Sequence, residues 1–158
     1  MEDIFRTADL SPDGKYRYLL TRRWSRFAGG GRRIMWVMLN PSIADATKDD
    51  PTIRRCIKFS QRWGFDEMMV CNVYAYRATK PEDLPDDYAE RAGPKNDEYL
   101  RHISSLAATI VCAWGTKGLK VAPWAIAYGK RLWCLGKTKH GYPKHPLYLP
   151  ADTQLEAF

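Results

Sequence analysis

Apolar positions along this chain gather into four short runs, and polar, turn-forming stretches separate them. Ile34-Met35-Trp36-Val37-Met38-Leu39 stops abruptly at Asn40-Pro41. Its continuous hydrophobicity predicts a strand from about Arg33 to Leu39, buried on both faces. Met68-Met69-Val70-Cys71-Asn72-Val73-Tyr74 repeats the pattern, as do Thr109 to Trp114, ending at Gly115, and Arg131 to Leu135, closed by Gly136. Between the first two runs the period changes. Asp50 before Pro51 marks a helix start, with Asp as N-cap and Pro at the first helical position. Ile53, Cys56, Ile57 and Ser60 then face inward, while Arg54, Arg55, Lys58 and Arg62 face out, until Gly64 ends the helix. A second helix is expected from Pro94 to Leu106, and a third over residues 119–129, broken or delayed by Pro123. Tyr16 to Arg22 alternates weakly behind the turn Pro12-Asp13-Gly14-Lys15, which reads as a hairpin or edge strand.

Strands alternating with helices imply an α/β domain: a three-layer sandwich whose central sheet is mostly parallel, with helices on both faces. Residues 1–158 read as one domain, with 1–32 forming an N-terminal hairpin and a basic Gly-rich loop. The Asn40-Pro41 loop and the Asn72 turn both fall at strand carboxyl ends, the edge where such sheets hold their ligands.

Composition narrows the functional classes. No apolar run approaches a membrane span, and Met1-Glu2-Asp3-Ile4-Phe5-Arg6 does not open a signal peptide, so a cytoplasmic, monomeric protein is expected. Cys56, Cys71, Cys112 and Cys134 form no C-x-x-C pair and lie in apolar surroundings, which reads as buried reduced thiols. The net charge of +7 is concentrated in Arg22-Arg23-Trp24-Ser25-Arg26 through Arg32-Arg33, and in Lys130-Arg131 through Lys144. Such a basic domain is a candidate for a polyanionic partner. Six Trp and nine Tyr serve either the core or base stacking.

Four places could carry chemistry. Asn40, held by Pro41, is a fixed amide that can orient a water or a ligand; it can equally cap a local turn. Asp45, Asp49 and Asp50 form an acidic loop that could supply a base or hold a divalent metal. Capping accounts for Asp50 and in part for Asp49, which leaves Asp45 as the functional candidate. Asn72 interrupts an apolar strand, and its amide needs partners or faces a pocket. His145, between Pro143 and Pro146, can stabilise a developing anion. His102 is expected on a solvent-facing helix surface, and His140 beside phosphate. The chain contains no Walker A, G-x-G-x-x-G, nucleophile-elbow or zinc-deaminase signature.

Leu39-Asn40-Pro41-Ser42, Asp49-Asp50-Pro51-Thr52, Asn72, Tyr76-Arg77-Ala78-Thr79 and His145-Pro146-Leu147-Tyr148 together resemble an uncharacterised domain family of bacteria and phages, of unknown function. More distantly, the layout resembles the uracil-DNA glycosylase superfamily. There a first strand ends in Asp-Pro or Asn-Pro, a later Asn reads the base, and a late His-Pro stabilises the leaving base. Asn40-Pro41, Asn72 and His145-Pro146 match these by position and order. Met38 stands in place of the usual Gly, and Leu147 in place of the usual Ser, which points away from plain uracil.

That resemblance implies a glycosylase that flips a base out of DNA and hydrolyses its N-glycosidic bond, leaving an abasic site. Uracil or a modified pyrimidine of phage DNA would be the base. Asn40, Asp45 and His145 would be catalytic. Asn72, Tyr76, Tyr148, Pro41 and Ser42 would bind the base, with Trp36 another stacking candidate. Arg22, Arg23, Arg26, Lys139, His140 and Lys144 would hold phosphates. No metal or organic cofactor is implied. Three alternatives stay open: a metal-dependent nuclease using Asp45, Asp49 and Asp50, a non-catalytic nucleic-acid-binding module, and an enzyme acting on free nucleosides or nucleotides.

Overall fold

The computed structural model describes residues 3–24, 31–119 and 128–158. The predicted apolar runs become strands: β3 (Arg33–Met38), β4 (Glu67–Asn72), β5 (Thr109–Cys112) and β6 (Leu132–Cys134). The N-terminal hairpin is β1 (Phe5–Leu10) and β2 (Arg17–Arg23). A final strand, β7 (Glu156–Ala157), has only two residues and no apolar pattern of its own. The sheet runs in the order β1-β2-β4-β3-β5-β6-β7.

The expectation of a mostly parallel sheet is corrected to a mixed one. β4, β3, β5 and β6 pair in parallel, while β1 with β2, β2 with β4, and β6 with β7 pair antiparallel. β2 is therefore an interior strand, and the edges are β1 and β7. For the first pair the reason is local. A tight turn at Gly14, with φ of +73°, can only return the chain antiparallel.

Helix α1 (Pro51–Arg62) begins as its sequence dictates: the Asp50 side chain accepts the Ile53 N–H at 2.8 Å, and Pro51 fills the first position. Ile53, Cys56, Ile57, Phe59 and Ser60 are buried against one face of the sheet, with Trp36, Ile34 and Val111. Arg54, Lys58 and Arg62 are exposed, whereas Arg55 lies half-buried over the Phe59 ring. Burying an Ile or Phe side chain contributes about 1.5–3 kcal/mol, so this face anchors the domain.

Helix α3 (Asn96–Leu106) covers the opposite face, where Leu100 and Ile103 meet Met35, Val37, Met69 and Ile110. It starts at Asn96 rather than Pro94. The segment before it, expected to be loop, holds the short helix α2 (Tyr88–Ala92), capped by Asp87. The helix expected at 119–129 lies largely outside the described residues.

All four cysteines are buried free thiols. Burial raises every one of their pKa values, that of Cys71 to about 12.

A strand-end pocket

Asn40 and Asn72 come together because β3 and β4 are parallel neighbours in register, with Met38 paired to Asn72. Beyond the strands the two chains continue side by side. Val73 N–H donates to Met38 O at 2.8 Å, and Tyr74 N–H to Leu39 O at 2.9 Å. A cavity of about 460 Å³ opens at these carboxyl ends, lined by Asn40, Ser42, Asn72 and His145 among others.

Asn40 is half-tied. Its Nδ2 donates to Ala78 O at 2.8 Å and Pro41 O at 3.1 Å. The side-chain carbonyl is thereby turned the other way and stays free to accept from a ligand or water. Pro41 itself is fully buried, and its carbonyl also receives the Ala78 N–H, so it shapes the loop and does not line the cavity.

Asn72 is 1% exposed, and among the described residues neither Oδ1 nor Nδ2 has a hydrogen-bond partner. Its backbone is fixed: the Asn96 Nδ2 donates to Asn72 O at 2.9 Å and to Val73 O at 3.1 Å. An orphaned buried amide costs about 1–3 kcal/mol. A group offering both a donor and an acceptor would relieve it.

His145 reaches the cavity from the β6–β7 connection. Gly115 N–H donates to Pro143 O at 2.9 Å, and Lys144 N–H to Gly136 O at 2.9 Å, holding that loop against the end of β5. Gly115 has φ of +75°, a conformation that favours glycine at this junction. The His145 Nδ1 accepts the Leu147 N–H at 3.2 Å, so the neutral ring carries its proton on Nε2. Desolvation by the surrounding protein lowers the His145 pKa, while the Asp50 carboxylate raises it, and the net direction is down.

The acidic residues exchange roles. Asp45 accepts from Thr47 N–H and Lys48 N–H, both at 2.8 Å, and from the Thr47 hydroxyl. Those bonds lower its pKa and close a local turn, so Asp45 does not line the pocket with Asn72 and His145. Asp49 is bound by Arg6 at 3.0 Å and Arg22 at 2.7 Å. Asp50, expected chiefly as a cap and otherwise as a metal ligand of the nuclease alternative, lines the cavity. Its Oδ1 takes the Ile53 N–H, and among the described residues no donor occupies Oδ2.

Several expected binding residues lie elsewhere. Arg22 is 0% exposed and fully engaged with Asp49 and four backbone carbonyls; its role as a phosphate contact is corrected to a structural one. Trp36 is also buried, its indole donating to Ser60 Oγ at 2.9 Å, so it cannot stack on a ligand. Tyr76 packs edge-on against Tyr16 beside a neighbouring depression, and Tyr148 is 94% exposed; neither lines the cavity. Arg23 lies over the Phe5 ring, and Lys139, His140 and Lys144 are exposed on the loop that leads into His145. Arg26 lies outside the described residues.

Three lining residues escaped the sequence reading: Arg17, Trp114 and Lys117. Trp114 lies two residues beyond the end of β5 and is the aromatic wall of the cavity. Lys117 sits in the 3-10 turn Gly115–Lys117. Arg17 is 2% exposed in an otherwise apolar stretch of β2, and a cation at a core position was the available signal.

The fold and site thus define an α/β domain with a largely apolar pocket, set with a few polar side chains, at the carboxyl ends of its parallel strands. The chain belongs to a family described as a protein of unknown function (DUF1643), whose model matches residues 17–147. Nothing among curated proteins or solved structures matches the chain. The matched stretch opens at Arg17 and closes at Leu147, both lining residues, and leaves β1 and β7 outside.

Proposed function

We propose that this domain is a DNA glycosylase that receives a flipped base in the strand-end pocket and hydrolyses its N-glycosidic bond. The orphaned Asn72 amide carries the reading, because a pyrimidine edge presents a donor and an acceptor side by side and would satisfy both its atoms. Water would add to the anomeric carbon as the bond to the base breaks. The bonding electron pair leaves with the base, and the proton released by the water ends on the base or on Asp50. The free carbonyl of Asn40 orients that water. Asp50, in place of Asp45, is the carboxylate positioned to offset oxocarbenium charge. His145, donating from Nε2, stabilises the base anion, and Trp114 supplies the aromatic wall.

The opposed helices α1 and α3 fit a uracil-DNA-glycosylase-like three-layer arrangement. A cavity of about 460 Å³ leaves room beyond a bare pyrimidine, which favours a modified base, such as those of phage DNA, over uracil. In this reading Arg23, Lys139, His140 and Lys144 hold phosphates, and a cytoplasmic monomer acts on DNA without a metal. The nuclease alternative is the weaker one. Asp45 and Asp49 are committed to a turn and to two arginines, and among the described residues no three His, Cys, Asp or Glu side chains cluster as metal ligands.

The test is incubation with EDTA and a panel of uracil-containing, mismatched and modified phage DNAs, scoring alkali-labile abasic sites. Base release that falls at least about 100-fold in Asn40→Ala and in His145→Ala is expected. Strand cutting that needs magnesium, with no abasic sites, would replace the glycosylase with the nuclease.

A further inference from the structure

Two arginines of β2, five residues apart, are buried, and they are satisfied very differently. Arg22 makes five hydrogen bonds, including an ion pair with Asp49 at 2.7 Å. Arg17 makes one, from Nη1 to Ala44 O at 2.8 Å. Its Nε is buried without an acceptor, and Nη2 has none among the described residues. Burial lowers its pKa to about 10, the largest cause being desolvation, with Asp50 opposing it. Among the described residues no ion pair joins it to Asp50.

Nε and Nη2 form the side of the guanidinium that grips a carboxylate or phosphate with two parallel bonds. That edge is unused, and it belongs to a residue lining the same cavity as the orphaned Asn72. Among the described lining residues Arg17 and Lys117 stand against the single acid Asp50, so the lining carries surplus positive charge.

We infer that the pocket takes a ligand bearing an oxyanion, either a carboxylate on the bound base or the phosphate of its nucleotide, gripped by the Nε–Nη2 edge of Arg17. The ring at Asn72 is taken from the glycosylase reading; the oxyanion at Arg17 is independent of it.

The experiment is isothermal titration of the full chain with free ligands in matched pairs: 5-carboxyuracil against uracil, and thymidine 5′-monophosphate against thymidine. The charged member is expected to bind roughly 10- to 100-fold tighter, as charge-assisted hydrogen bonds imply. Preference within the first pair assigns the oxyanion to the base, and within the second to the nucleotide phosphate. Arg17→Gln should abolish the preference and Arg17→Lys should keep part of it. The wild-type comparison stands even where a variant fails to fold. Equal binding of charged and neutral members, no binding of either anion, or a preference that survives in folded Arg17→Gln overturns the inference. Anion binding through Arg17 without base release from any DNA would sink the glycosylase alone. Release of uncharged bases with no anion preference would sink this inference alone.

Discussion

Asn72 keeps an amide where an aliphatic side chain of similar shape would suit the fold better. Asn72→Leu removes two unmet hydrogen-bonding atoms, so it should leave the protein equally stable or stabilise it by about 1–3 kcal/mol. The same change should abolish base release. Urea titration beside the abasic-site assay checks both, and a destabilised variant would mean that the fold itself uses the amide. That Asn40, Asn72 and His145 line one cavity was legible from sequence because Asn40 ends an apolar run, Asn72 breaks one near its end and His145 is pinned between prolines, and strand ends converge in this architecture. Arg22 was not. Its charge resembles any surface arginine until Asp49, distant in sequence, arrives beside it. The exchange between Asp45 and Asp50 has a simple cause: a carboxylate has two oxygens, so capping a helix with one leaves the other for a ligand.

At the level of elements, that double duty can be separated. Asn caps helices about as well as Asp, whereas Ala costs about 1 kcal/mol. Asp50→Asn should therefore keep the stability of α1 while lowering base release, and Asp50→Ala should lower both. Thermal unfolding with single-turnover kinetics reads the two effects apart; full activity in Asp50→Asn would confine Asp50 to capping. Helix α1 was readable to the residue because its cap, its proline and its apolar stripe agree. Strand β2 was legible as part of a hairpin, but the face that Arg17 takes was not. Its pairing with β1 steps from Asp9–Leu19 to Leu10–Arg17, leaving Tyr18 as an extra residue. That bulge reverses the alternation, so Arg17 shares a face with Leu20 and Arg22, three and five residues on, and is aimed into the pocket. Alternation counted on the sequence alone assigns Arg17 and Leu20 to opposite faces. Strand β7 carries no local signal at all; only its pairing with β6 makes it a strand.

For the whole molecule, the α/β class followed from the succession of runs, but the mixed sheet did not. Strand direction at the margins depends on which neighbour the chain returns to, and that is a matter of long-range pairing. Net charge was only a partial guide, since part of the positive charge is spent inside, on Arg22 and Arg17. The four sequestered thiols have a practical consequence. Only a thiolate reacts with an alkylating reagent, and these groups are both covered and pushed toward the neutral form. Each cysteine is thus a clock that starts when its own part of the molecule opens. Mass spectrometry of iodoacetamide labelling should find Cys134 modified first, beside the two-residue strand at the margin, with Cys56 and Cys71 following at the rate of global unfolding. Simultaneous labelling of all four would mean instead that margin and centre come apart as a single cooperative unit.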